Sequence, residues 1–243
     1  MPALLKKTTL GEQRVKATQV LQKAGVKIGS DKFQAVAVFD RSGSTDFAGR
    51  EFYSIRRGES QSVMSAIATR VLAIGMQLDD NKQIPVVQFS SGASTLEDIT
   101  PANLETYIAD QFSSRANGGT SYPSAMKEVV KGFDRKVNYP GLVWFFTDGE
   151  CNDHEVEATK RLLKEYSSLP IFWSFVGIHV SGDKPDFGFL KDLDNMKGRV
   201  VDNAGFMEVN VDKITDEELY TAMLSEASQF PGRVAGSNGK VHW

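Results

Sequence analysis

The string Asp40-Arg41-Ser42-Gly43-Ser44 places a carboxylate and two hydroxyls at alternate positions of a segment bent at a glycine. Three oxygens around one point suit a hard cation; Mg2+ takes about six oxygen ligands and keeps several of them as water. The same string also suits an ordinary turn, in which Asp40 caps the next segment and the serines bond backbone. Two further strings bear on that choice. Gly118-Gly119-Thr120 precedes a Pro123 helix, and Thr147-Asp148-Gly149 closes an apolar run. If the strands carrying Phe33 and Leu142 are neighbours, both loops rise at one sheet edge. Thr120 then adds a hydroxyl and Asp148 a second carboxylate, directly or through a water. Singly each is an ordinary turn; in this order, at the ends of these elements, they form a constellation.

The elements that must position these residues alternate in type. Phe33 to Phe39 (FQAVAVF), Ile84 to Phe89 (IPVVQF), Gly141 to Thr147 (GLVWFFT) and Ile171 to His179 (IFWSFVGIH) are nearly unbroken apolar runs, as expected of strands buried on both faces of a parallel sheet. A weaker, polar strand is expected over Ser94 to Ile99. Around and between them lie helical patterns at 12–23, 60–78, from Pro101 to Phe112, from Pro123 to Phe133, after an Asn152 or Asp153 cap, at 187–193 and at 215–230. Pro231 to Trp243 is Gly-rich and aperiodic, and a loosely ordered tail is expected there. Strands alternating with helices imply an α/β fold, a doubly wound and mostly parallel sheet with helices on both faces. The functional site then lies beyond the carboxyl ends of the strands, where strand order reverses.

Composition narrows the function. The chain has 243 residues, 41% hydrophobic and 24% charged, the balance of a folded globular protein. A net charge of −3 argues against a general nucleic-acid binder, although Arg56, Arg57, Lys127, Lys131, Arg135 and Lys136 are basic. Cys151 stands alone, which excludes an intrachain disulfide and a Cys-built zinc site. His154 and His179 lack partners at ligand spacing. No apolar run is long enough for a membrane span. Ala3-Leu4-Leu5 runs into Lys6-Lys7, the reverse of a secretory leader, so a cytoplasmic location is expected. Phosphate-cradling glycine motifs and an acyl-transfer elbow are both missing. A Mg2+-dependent, phosphatase-like hydrolase using Asp40, Asp148, Glu150 and Asp153 is the enzyme alternative. Such a phosphatase wants a second aspartate two places after Asp40, where Ser42 stands.

D-x-S-x-S, a threonine in a Gly-rich loop and an aspartate after an apolar strand resemble the metal-ion-dependent adhesion site of von Willebrand factor A (vWA) domains. IPVVQF, GGTSYPSAM, VWFFTDGE, PIFWSFVGI, FLKDLDNMKGRVVDNAGF and DEELYTAMLSE are similar to the bacterial tellurium-resistance and stress-response branch, with copines more distant. The resemblance implies a Rossmann-like sheet with one short antiparallel edge strand. It also implies a domain over 31–230, flanked by an N-terminal helical extension (1–30) and the tail (231–243). The implied metal set is Asp40, Ser42, Ser44, Thr120 and Asp148, holding Mg2+, with Mn2+ or Ca2+ as alternatives. The implied function is metal-dependent recognition of a protein that presents an acidic residue to the ion, in tellurite or stress resistance. No chemical step is implied, and the setting extends to an assembly on the inner face of a membrane. One departure stands out. TDFAGREFYSIRRGESQS, between Ser44 and Val63, is long for this connection and brings Phe47, Arg50, Phe52, Tyr53, Arg56 and Arg57 toward the metal face. It is either a solvated loop with an aromatic or two packed down, or a specificity loop in which Phe52, Tyr53, Arg56 and Arg57 meet an acidic partner.

Overall fold

The computed structural model describes residues 4–46, 50–79, 81–149 and 151–242. Phe47, Glu150 and Trp243, which figure in the expectations above, lie outside the described residues. The chain runs α1 (Leu10–Lys23), β1 (Gln34–Asp40), α2 (Val63–Leu78), β2 (Ile84–Phe89), β3 (Ala93–Ile99), α3 (Tyr107–Gln111), α4 (Tyr122–Gly132), β4 (Gly141–Thr147), α5 (Val156–Tyr166), β5 (Ile171–His179), α6 (Gly188–Asp194), β6 (Ala204–Asn210), α7 (Asp216–Leu224) and α8 (Phe230–Ala235).

The six strands form one sheet in the order β3-β2-β1-β4-β5-β6. Only the β2–β3 pair is antiparallel, so the expected doubly wound sheet with an antiparallel edge strand is what the chain forms. Strand order reverses between β1 and β4. Their register sets Phe39 opposite Phe146, which brings the next residues, Asp40 and Thr147, side by side at the carboxyl edge. Both candidate carboxylates therefore stand at the crevice where such sheets bind ligands.

Alternation along the strands splits the core into two layers. Ala35, Ala37, Phe39, Leu142, Trp144 and Phe146 join the cluster that includes residues of α1, α2, α3, α7 and α8. Val38, Val143, Phe145, Trp173 and Phe175 face the layer of α4, α5 and α6. All seven residues of β4 are buried, which is why its sequence shows no polar alternation.

Differences from the sequence expectations have local causes. The segment from Pro101 forms turns before the five-residue α3. Asn103 accepts from Thr100 N (2.8 Å), its own N–H donates to Thr100 Oγ1 (3.3 Å), and its amide donates to Asp98 O (2.9 Å). Those local bonds compete with a helix. The pattern at 215–230 breaks after Leu224 into a 3-10 turn, Ser225–Gln229. β6 shows no apolar run, because several of its side chains are only partly covered at the sheet edge. In place of the expected loose tail, α8 begins with Pro231 in its first turn, Val234 and Val241 are buried, and His242 N–H donates to Ser168 O at 2.9 Å.

α1 packs on α2 and α7 and starts with a capping box, Glu12 N–H to Thr9 Oγ1 (3.2 Å) and Thr9 N–H to Glu12 Oε2 (2.8 Å). Beneath it Arg70 of α2, fully buried, donates to Asp216 Oδ1 through Nε (2.9 Å) and Nη2 (2.7 Å). Gln13 Nε2 (2.8 Å) and Lys16 Nζ (2.5 Å) hold the other carboxylate oxygen. Arg70→Met keeps much of the volume but leaves Asp216 Oδ1 without both of its guanidinium donors. We expect a loss of about 3 kcal/mol in urea unfolding; a change under about 1 kcal/mol would show that Lys16 and Gln13 suffice.

Candidate metal centre

Asp40 ends β1 with its carboxylate pinned from two sides. Ser42 N–H donates to Oδ1 (2.8 Å), and Thr147 Oγ1, from the neighbouring strand, donates to Oδ2 (2.6 Å). With its proton so used, the Thr147 hydroxyl accepts from Tyr122 OH at 3.0 Å and from Gly149 N–H at 3.2 Å. Ser42 and Ser44 lie on the turn leading into a short 3-10 helix, Gly43–Asp46, with their hydroxyl oxygens 3.0 Å apart. Gly43 N–H donates to Gly118 O (3.1 Å), which stitches this turn to the Thr120 loop. Gly118 has φ +85°, and a Cβ there would come within 2.9 Å of Ser91 Oγ. A side chain is therefore excluded by both conformation and space.

Asn152, expected as a helix cap, makes no capping bond. It ties loops together instead: its Oδ1 accepts from Thr120 N–H (3.2 Å) and its amide donates to Glu155 Oε2 (2.7 Å). Asp148 follows β4 directly, before Gly149 at φ +96°, where a Cβ would press to 2.4 Å against the Phe187 ring. The five expected donors are 1–6% exposed, so they sit at the bottom of the crevice rather than on its rim.

Two buried carboxylates this close disfavour each other's charge. Burial, then the charge of Asp148, pushes Asp40 up to about 7, against the pull of its bonds from Ser42 and Thr147. A divalent cation relieves that repulsion, and carboxylates with hydroxyls are the ligands a hard ion takes. Among the described residues, no group of three or more His, Cys, Asp or Glu side chains gathers to hold a metal, and the donors at this crevice are two carboxylates with three hydroxyls. The donor set thus fits an oxygen-ligated ion.

Residues 32–238 match the family model described as the vWA domain found in the TerF C terminus. The chain belongs to the TerF-like vWA family. The Bacillus subtilis (strain 168) protein YcbR is 32% identical over 218 residues, 86% of this chain and 85% of its own length. Solved structures share the fold at low identity. An aerotolerance-related membrane protein from Bacteroides fragilis matches with a TM-score of 0.58 and 15% identity, covering 81% of this chain and 99% of that one. Proximal thread matrix protein 1 from the mussel byssus, solved with zinc in its metal-ion-dependent adhesion motif, matches with a TM-score of 0.50 and 19% identity over 79% of this chain. This chain spans 46% of that mussel protein. The vWA fold and the tellurium-resistance branch expected from the motifs are therefore the ones found.

In this vWA domain the long connection after Ser44 behaves differently from a specificity loop built on aromatics. Phe52, expected at a partner surface, is fully buried in the α1–α2 layer. Tyr53 packs inward: its ring lies 4.9 Å from Phe112 and 4.6 Å from the Arg41 guanidinium, and its hydroxyl donates to the Asp40 carbonyl oxygen. Arg56 is held by Asp212 at 2.6 Å, and Arg57 is exposed. Tyr53 thus braces the end of β1, its hydroxyl on the Asp40 carbonyl and its ring against the Arg41 guanidinium. Arg50 reaches the site itself. Its Nη1 lies 2.8 Å from Asp148 Oδ2, and its Nε lies 3.0 Å from Asp183 Oδ2.

Sequence reading missed Thr147 and Tyr122 as supports of Asp40. Both stand inside the strings that carry the family likeness, but their partners come from other elements. Cys151 is half-buried and burial raises its thiol to about 11, a passive residue at neutral pH. His154 is exposed and His179 pairs with Glu208 at 3.2 Å.

The raised Asp40 pKa acts on stability with a definite sign. Between the ordinary value of 3.8 and about 7 the folded chain holds the Asp40 proton and the unfolded chain has lost it. This group's contribution to stability therefore falls as pH rises through that window. In metal-free protein, Asp40→Asn should match wild type near the lower end and exceed it by up to about 4 kcal/mol above the upper end. Urea unfolding of both proteins across the window checks this; parallel pH profiles would sink it.

Proposed function

We propose that this vWA domain binds one divalent cation through Asp40, Ser42, Ser44, Thr120 and Asp148 and uses it to recognise a partner protein that offers a carboxylate. The observation that carries the reading is the pair of buried carboxylates at the strand-order switch, Asp40 pinned by Ser42 and Thr147 with Asp148 beside it. Two protein carboxylates and three hydroxyls leave a six-coordinate ion an open position and Lewis acidity to spare. It retains affinity for a third carboxylate, which the partner supplies. Hydroxyl-rich ligation favours Mg2+, with Mn2+ or Ca2+ as alternatives. The zinc held by the mussel protein at its corresponding motif supports a metal here without fixing its identity.

The domain acts as a binding module in tellurite or general stress resistance, in the cytoplasm, with a partner assembly that extends to the inner face of a membrane. Its own described helices include none long and apolar enough to cross one. Nucleic acid is not its ligand, and it performs no catalytic step. Ser42 supports the last point, since it stands where a phosphatase needs a second aspartate, and Asp153 is exposed on the loop after β4.

Calorimetric titration of metal-stripped protein with Mg2+ and Mn2+ tests the reading. One site is expected in wild type and none in Asp40→Ala, which stays folded. Ser42→Ala and Thr120→Ala should weaken binding less, because a water replaces a lost hydroxyl. Retained binding in Asp40→Ala, or Asp40-dependent phosphatase turnover, would overturn the proposal.

A further inference from the structure

Arg50 touches the metal site at two of its donor residues. Its Nη1 donates to Asp148 Oδ2 at 2.8 Å and lies 3.4 Å from the Ser44 carbonyl oxygen. Its Nε donates to Asp183 Oδ2 at 3.0 Å, on the loop after β5 and outside the donor set. The guanidinium therefore spans a candidate metal ligand and a carboxylate with no part in metal binding. Its charge is permanent, since an arginine does not deprotonate in proteins. A divalent ion drawing on Asp148 would face that charge across one carboxylate, and the two cations repel.

The backbone holds this arrangement under tension. Glu51, the next residue, has φ +39°, a conformation that a non-glycine side chain rarely adopts. Phe52 follows, locked in the core, with its N–H on Thr45 O at 3.2 Å. Arg50 thus stands on a strained turn with a fixed base. Its side chain is 21% exposed, which leaves it a way out toward solvent.

We propose that Arg50 is a built-in occupant of the metal site: its guanidinium and the divalent ion compete for Asp148, and loading the ion moves Arg50 onto Asp183 alone. The inference rests on the metal reading above and assigns its regulation. Without the ion, Arg50 neutralises Asp148 and holds the affinity down. With the ion bound, Nε stays on Asp183 while the Nη donors turn to the rim, where they suit the arriving partner carboxylate. Metal loading and readiness for a partner become one event.

The test compares wild type with Arg50→Gln, which keeps a polar side chain without the charge, and with Arg50→Lys, which keeps the charge without the fork. Mn2+ affinity is read by calorimetry, amide exchange at residues 50–52 with and without Mn2+, and thermal unfolding as the fold control. Arg50→Gln should bind Mn2+ about tenfold more tightly than wild type, with Arg50→Lys between them. Exchange at 50 and 51 should rise on loading wild type and be high already in metal-free Arg50→Gln, while Phe52, held on Thr45 O, stays protected. Equal or weaker binding by Arg50→Gln, or exchange that Mn2+ leaves unmoved, overturns the competition while the metal site stands. Absence of Mn2+ binding in every protein overturns both readings.

Discussion

Two carboxylates buried within reach of each other at the ends of adjacent parallel strands set the terms for the rest of this molecule. Asp40 is 2% exposed and Asp148 4%, and charge in such a place is costly unless something nearby answers it. Much of the surrounding structure does so. Thr147 and the Ser42 amide donate to Asp40, Tyr122 donates to Thr147, and Arg50 pairs with Asp148. These contacts hold the site ready while leaving the pair mutually repelled. Such a preorganised pair is the arrangement that the proposed cation would use.

How far this was legible in the sequence depended on where each residue's partner lies. The donor strings are local, and β1 and β4 are buried on both faces, so their apolar runs and terminal aspartates were visible as written. β6 was not, because an edge strand with half-covered side chains carries no apolar run. Thr147 illustrates the same limit within the site. Its bond to Asp40 depends on the β1–β4 register, which no single segment encodes. Phe52 and Tyr53 were visible as aromatics near the metal face, but whether an aromatic points to solvent or to the core depends on the layer beneath it. Here that layer is α1, α2 and Phe112, and it draws both inward.

The brace around Arg41 joins these two themes. Its guanidinium lies 4.6 Å from the Tyr53 ring centroid and 5.2 Å from that of Phe112, and it bonds to Ser114 O. The residue between Asp40 and Ser42 thus fastens the long connection to the segment after α3. Stiffness at the Asp40–Ser44 turn thus comes from side chains outside the candidate donor set.

The contact between α1 and α7 bears on where the domain begins. The family match starts at residue 32, after α1. Yet Ala17, Val20 and Leu21 of α1 are buried in the same layer as α2, and Gln13 of α1 donates to Asp216. A fragment cut at the matched boundary would lay open an oily flank of α2 and wet the Arg70 pairing. Such a fragment invites self-association through the bared flank. In this chain the packed unit is wider than the segment that the family model matches.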